Sequence, residues 1–275
     1  MKQLLTILCL IFLSSYSYCE EPPSDGPYET FHENGQKWER GTFKDGKMDG
    51  VWEEFYENGQ LKSRGNFKDG KAEGLVEGFY ENGQLGTKLT FKDGIENGLV
   101  ETYYENGQLQ EKGNYKDGEF DGLVELYYAN GQLASRGNAD GKESSLFELF
   151  NENGQLKGRG YIKDGKKDGL WEEFIMNGQV KKRGNYRDGK QTGVWEVWDL
   201  TEEKGILRGR GKTDGKQSGV WEYFDNNGQV NERGNLKDGK QHGVWEYFDK
   251  NGQIDYVLYY INGKEVTRKK YLKRK

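Results

Sequence analysis

The apolar positions of this chain fall into short alternating runs separated by glycine, and the runs return with a fixed period. Residues 50 to 73 read GVWEEFY, ENGQ, LKSRGNF and KDGKAE, after which Gly74 opens another copy. Alternation over such short stretches, bounded by Asn-Gly and Asp-Gly, predicts two half-buried strands and two turns per copy. Asn-Gly itself recurs at Asn34-Gly35, Asn58-Gly59, Asn82-Gly83, Asn106-Gly107, Asn130-Gly131, Asn153-Gly154, Asn177-Gly178, Asn227-Gly228 and Asn251-Gly252. A period of about 24 residues signals a repeat architecture, in which each unit packs on its sequence neighbours.

The strongest local hairpin signal is Asn-Gly in a two-residue type I′ turn, which needs positive φ at both central positions. With that turn at Asn58-Gly59, Tyr56 faces Leu61, Phe55 faces Lys62, Glu53 faces Arg64 and Trp52 faces Gly65. The same arithmetic pairs opposite charges copy after copy: Glu29 with Arg40, Glu77 with Lys88, Glu101 with Lys112, Glu125 with Arg136, Glu148 with Arg159, Glu172 with Arg183, and Glu222 with Arg233. Opposed charges contribute ~0.2–1 kcal/mol each, so this ladder fixes register more than it stabilises. The neighbouring pair sets a large side chain against a cross-strand glycine, as in Trp52 with Gly65, Phe147 with Gly160, Trp171 with Gly184 and Trp221 with Gly234. A ring over bare backbone compensates for the glycine. Between Asp199 and Ile206 the tight turn is replaced by a longer loop, with Arg208 or Arg210 facing Glu196.

The recurring pattern G-x-W-x-x-Y/F-x-x-N-G-x-L-x-x-x-G-x-[YF]-x-D-G-K resembles the MORN repeat in its bacterial variant, the form found in YwqK-type antitoxin proteins. The likeness runs from about Pro27 to Gly263. It implies an elongated, single-layer antiparallel sheet of consecutive hairpins, the all-β architecture that the periodicity predicts independently. Members of the family serve in protein association, in membrane contact and as accessory segments beside enzymes.

Composition sharpens this picture at two points. Hydrophobic residues make up 33% of the chain and charged residues 32%, a balance that favours disorder unless the apolar residues are ordered by position. Here the 14% aromatics sit at fixed template positions, so aromatic stripes must supply the core. Both cysteines, Cys9 and Cys19, lie near the start, which leaves the repeats without an internal disulfide.

The ends read differently from the middle. Met1-Lys2-Gln3, an apolar run from Leu4 to Leu13 and a polar exit after Cys19 predict a signal peptide over residues 1–19, followed by a linker over 20–26. Cleavage after Ser17-Tyr18-Cys19 and acylation of Cys19 are both open, and either sends the chain to the periplasm, the outer membrane or the exterior of a bacterium. About ten hairpin repeats are expected over 27–253, then a cap and basic tail over 254–275. That tail holds Arg268, Lys269, Lys270, Lys273, Arg274 and Lys275, a candidate contact for anionic lipid headgroups and equally a solvated end that protects the last strand.

Catalytic chemistry has no foothold in the pattern. His32 and His242 lie far apart in sequence and are expected to be exposed turn or strand residues. The Asp-Gly-Lys loops lack the converging carboxylates of a calcium loop and the spacing of a phosphate loop, so they are read as turns. Neither a metal, a cofactor nor a nucleic acid is expected, and the recurring glutamates, each facing a base, suit ion pairs rather than general acids. The expected function is a non-catalytic exported scaffold for an unknown protein partner, with self-association allowed by uncovered apolar faces. Toxin neutralisation, implied by the resemblance alone, and binding to an anionic membrane surface are the alternatives.

Overall fold

The computed structural model describes residues 24–139, 145–199, 206–213 and 218–270. They fall into two units, the first ending at Leu133 and the second beginning at Ala134. Among the described residues the regular structure is strand throughout, and every pairing is antiparallel, between strands that follow one another in the chain or are separated only by the two-residue strands Lys47–Met48 and Glu119–Phe120.

In the first unit the principal strands are Gly26–Phe31, Lys37–Lys44, Gly50–Phe55, Leu61–Lys68, Lys71–Phe79, Leu85–Lys92, Ile95–Tyr103, Leu109–Lys116 and Leu123–Tyr127. The second continues with Leu133–Asn138, Ser145–Phe150, Leu156–Lys163, Lys166–Phe174, Val180–Arg187, Lys190–Asp199, Ile206–Thr213, Gly219–Phe224, Val230–Lys237, Lys240–Phe248, Ile254–Ile261 and Lys264–Lys270.

The type I′ turn expected at Asn-Gly is found at Asp-Gly instead. At Asn58-Gly59 only the glycine has positive φ, 81°, and Tyr56 closes a three-residue loop by donating its N–H to the Gln60 carbonyl at 2.8 Å. The Asn58 carboxamide oxygen accepts from the Gln60 N–H at 2.9 Å, which holds asparagine in an ordinary turn conformation. The type I′ turn sits instead at Asp-Gly: Asp69 has φ 50° and Gly70 79°, and Lys68 pairs directly with Lys71. Asp45, Asp93, Asp117, Asp164, Asp188, Asp238 and Asn262 repeat this positive φ.

Phe55 therefore pairs with Leu61 rather than Lys62, and Tyr56 with Gln60 rather than Leu61. A bulge then restores the expected register, since Lys62 is the extra residue before Glu54 meets Ser63 and Glu53 meets Arg64. The three-residue loop and the one-residue bulge cancel. A second irregularity follows the Asp-Gly turn at Asp69-Gly70, where Phe67 pairs with Ala72 but Gly65 with Val76, and recurs after Asp188-Gly189 and Asp238-Gly239. Gly74, at φ 80°, makes that kink, a backbone conformation that a side chain disfavours.

Alternation gives each unit two unlike faces. Trp52, Phe43, Phe67 and Met48 are buried together in the first unit, beside a second cluster of Val76, Leu89, Phe91 and Val100. Trp195, Trp221, Leu236 and Trp245 form the core of the second. The last hairpin keeps the plan: Trp245 is opposite Leu258 and Glu246 opposite Val257, with Ile261 and Lys264 flanking the Asn262-Gly263 turn.

Candidate interaction surface

The buried face shows how neighbouring hairpins are joined. Trp171 is level with a glycine on both sides, Gly160 and Gly184, and Trp195 likewise with Gly184 and Gly211. The ring lies over the preceding glycine, not the one within its own hairpin. A methyl group built on Gly160 would come within 2.5 Å of Trp171, on Gly184 within 2.3 Å of Trp195, and on Gly234 within 2.4 Å of Trp245. Trp52 likewise covers Gly41, whereas Gly65 is met by Val76. The indole N–H groups of Trp52, Trp171, Trp195 and Trp245 donate to the carbonyls of Thr42, Tyr161, Asn185 and Asn235, at 3.2, 2.9, 3.2 and 3.0 Å. Satisfied polar edges let these rings bury almost completely.

The opposite face carries the charges. Glu53, Arg64, Glu77, Lys88, Glu101 and Lys112 follow one another across the first unit in a single row of facing residues, and Glu172, Arg183, Glu222 and Arg233 lie in the equivalent row of the second. Most arginines in the row reach forward, past the glutamate of their own hairpin. Arg64 bonds Glu77 at 2.5 Å, Arg159 bonds Glu172 at 2.7 Å, Arg183 bonds Glu196 at 2.5 Å and Arg210 bonds Glu222 at 2.8 Å. Arg40 pairs with Glu53 in the same way. Lys112 keeps to its own hairpin, 3.6 Å from Glu101.

A second contact explains the forward reach. The guanidinium of Arg159 lies 5.5 Å over the Phe174 ring, Arg183 lies 5.2 Å over Trp198, and Arg233 lies 5.3 Å over Phe248, two residues beyond the bonded glutamate. A planar cation can satisfy a carboxylate and cover a ring together, which lysine does less well. The bond to Glu77 raises the Arg64 pKa above its ordinary value, and the bond to Glu53 does the same for Arg40.

Beside this row runs an uncovered aliphatic stripe. Val51, Leu75, Leu99 and Leu123 are 57, 48, 41 and 55% exposed in the first unit. Leu146, Leu170, Val194, Val220 and Val244 continue the pattern in the second. Asn66, Thr90 and Asn114 stand opposite the first three, and Asn185 and Asn235 opposite Leu170 and Val220.

The Asn-Gly edge of the first unit is stitched by side chains acting across one repeat. Tyr56, Tyr80 and Tyr104 donate their hydroxyls to the carbonyls of Phe79, Tyr103 and Tyr127, while Asn34, Asn58, Asn82 and Asn106 donate to the carbonyls of Glu57, Glu81, Glu105 and Ala129. His32 takes the place of the first tyrosine, its Nε2 2.9 Å from the Phe55 carbonyl. It is thus half-buried rather than exposed as expected. His242 is half-buried too, and its Nδ1 has no partner among the described residues. A cavity of about 520 Å³ beside His32 is lined by Trp38, Phe55, Tyr56, Lys62 and Glu81, and another of about 410 Å³ in the second unit by Arg208, Tyr223, Asn231, Glu232 and Gln241. Desolvation raises the pKa of Glu232 and of Glu111, and lowers that of Lys167, whose ammonium rests 3.9 Å from the centre of the Trp171 ring.

Among the described residues no group of three or more His, Cys, Asp and Glu gathers as a metal site would require. Cys19 and the basic residues Lys273, Arg274 and Lys275 lie outside the described residues. Arg268, Lys269 and Lys270 belong to the strand Lys264–Lys270, opposite Leu258, Val257 and Tyr256.

Fold and surface together define a β-hairpin repeat protein, whose cohesion is carried from each repeat to the next. The family described as "MORN repeat variant" matches residues 24–45, 48–69, 72–93, 96–117, 120–139, 167–188, 217–238 and 241–262. The chain belongs to the MORN repeat family in this variant form. Repeats of this family are a non-catalytic type, commonly used as scaffolds that bind proteins or membranes. No curated protein matches the chain.

Proposed function

We propose that the chain is a non-catalytic scaffold that binds a protein partner on its ion-pair face. The observation that carries this reading is the aliphatic stripe, exposed at the same template position in every repeat from Val51 to Val244 and bordered by arginines whose side chains remain about half exposed. Apolar centre and polar border are the anatomy of a protein contact, and arginine is enriched in such contacts. The tryptophan face offers no comparable surface, because Trp52, Trp171, Trp195 and Trp245 are at most 2% exposed.

The test is capture of a partner from envelope extract by tagged residues 20–275, repeated with Leu75→Asn and Leu99→Asn together. A stoichiometric protein retained by the parent and lost by the variant is expected; equal retention by both would move the contact off this face. Were the captured protein a toxin, the alternative of a toxin-neutralising role, drawn from the resemblance to YwqK-type antitoxin proteins, would apply. Export belongs to the same proposal and rests on the sequence of residues 1–19. Intact mass of the envelope-derived protein should correspond to a chain starting at Glu20 or at an acylated Cys19, and a retained Met1 would overturn it.

The basic segment 268–275 favours one further reading, attachment to an anionic lipid surface. Each basic side chain near such a surface contributes about 1 kcal/mol. Co-sedimentation with anionic vesicles should then disappear when the last eight residues are removed.

A further inference from the structure

The first hairpin departs from the repeat at two positions, and the two meet. Trp38 is the extra residue of the bulge after the Asn34-Gly35 turn, where Thr30 pairs with Glu39 and Phe31 with Lys37. Later copies carry polar or small residues there, such as Lys62, Gly86, Gln110 and Asn231. His32 stands where Tyr56, Tyr80 and Tyr104 stand in the copies that follow. The two ring centres are 6.0 Å apart, and both rings line the cavity of about 520 Å³, together with Phe55, Tyr56, Lys62 and Glu81.

Trp38 is unlike the tryptophans of the core. Its ring is 38% exposed and its indole N–H has no partner among the described residues, whereas the indoles of Trp52, Trp171, Trp195 and Trp245 all donate to backbone carbonyls. Cations cover rings elsewhere, as Arg40 covers Phe55 at 5.6 Å and Lys62 approaches Tyr56 at 5.9 Å. Among the described residues none lies over Trp38.

The walls of the cavity carry an excess of negative charge. Lys62 is held 2.6 Å from Glu54, while the carboxylates of Glu57 and Glu81 bond no basic group among the described residues. The Tyr56 hydroxyl and the Asn58 carboxamide are already bonded to backbone groups, which leaves chiefly rings and carboxylates to meet a ligand. A compact ammonium or a metal ion would lose more hydration here than such walls replace. An alkylated ammonium spreads its charge over methyl groups and is attracted to the face of a tryptophan ring.

We infer that this cavity binds a small organic cation bearing a quaternary ammonium group, with its methyls on Trp38 and its charge facing Glu57 and Glu81. The site is separate from the protein contact of the aliphatic stripe. Choline carries such a group both free in solution and at the head of a lipid.

Isothermal titration calorimetry of the full chain with choline chloride tests this, with sodium chloride as the blank. Saturable binding of one ion per chain is expected. Trp38→Gln, a residue that a later copy carries at that position, should weaken binding about fivefold or more at an unchanged circular dichroism spectrum. Glu57→Gln with Glu81→Gln, in exposed turns, should weaken it as well, and takes over the test for a tryptophan variant that fails to fold. The uncharged carbon isostere of choline should bind more weakly than choline. Sedimentation with phosphatidylcholine vesicles that free choline competes away assigns the group to a lipid, and choline binding without sedimentation assigns it to the free ion. The absence of saturable binding overturns the inference, as does binding that ignores both sets of substitutions. Tighter binding of glucose than of choline also overturns it, and would make Trp38 a platform for a sugar.

Discussion

Glycine has two separate uses in these repeats. Gly70 and Gly74 supply positive φ, whereas Gly184 supplies space, since a methyl group there would meet the Trp195 ring at 2.3 Å. Gly184→Ala should therefore cost about 1–3 kcal/mol through overpacking, read as a lowered denaturation midpoint at unchanged m-value. Tyr56→Phe removes one hydroxyl bond to a backbone carbonyl, and about 0.5–1.5 kcal/mol should be lost in the same measurement. Tyr103 makes a pH prediction. Burial, and then its hydrogen bond to Glu101, push its phenol up to about 12. The unfolded chain ionises near pH 10, so the stabilising contribution is complete below that pH and is lost as pH rises toward 12. Tyr56, Tyr80, Tyr127 and Tyr223 are raised as well, chiefly by burial, and the alkaline loss should be steep. Tyrosinate absorbance should lag behind that of the unfolded chain, and Tyr103→Phe should remove part of the lag.

At the scale of the hairpin, the sequence made the strands and the charged row legible but not the partners within it. The sum rule that opposes Glu53 and Arg64 survives because the Asn-Gly loop and the Lys62 bulge each shift the register by one, in opposite senses. It says nothing of where a long side chain leans. Arg64 chooses Glu77, whose strand also brings Phe79 to the same face, and the recurring kink at Gly74 is what puts Glu77 level with it. That kink was the available signal, as a glycine opens nearly every copy, Ser145 being the exception. A double-mutant cycle should give Arg64 and Glu77 a coupling of ~0.2–1 kcal/mol, and Arg64 and Glu53 a smaller one. The reverse order would return the ion pair to the single hairpin. The place of the type I′ turn was hidden for a similar reason: Asn-Gly and Asp-Gly both suit it, and the bond that the Asn58 carboxamide oxygen accepts from the Gln60 N–H favours the other loop.

For the whole molecule, contacts that reach one repeat forward or back imply stability that grows by interfaces between neighbours. Removing residues 50–73 joins Asp49 to Gly74, recreates a native junction and brings Arg40 to Glu77. The shortened chain should remain folded with a proportionately smaller m-value, whereas removal of residues 50–61 reverses the strand order and should abolish cooperative unfolding. The sequence by itself determined the period, the all-β hairpin plan and which residues share a face, because each follows from alternation, turn chemistry and spacing along the chain. Only the tertiary structure decided that tryptophan covers the glycine of the preceding hairpin and that most arginines in the row bond the glutamate of the following one. A residue in an interior strand has neighbours on both sides at equal distance, and sequence spacing cannot rank them. The kink at glycine, the lean of the ring and the aromatic face waiting beside the glutamate break that equality, and they exist only once the strands are laid side by side.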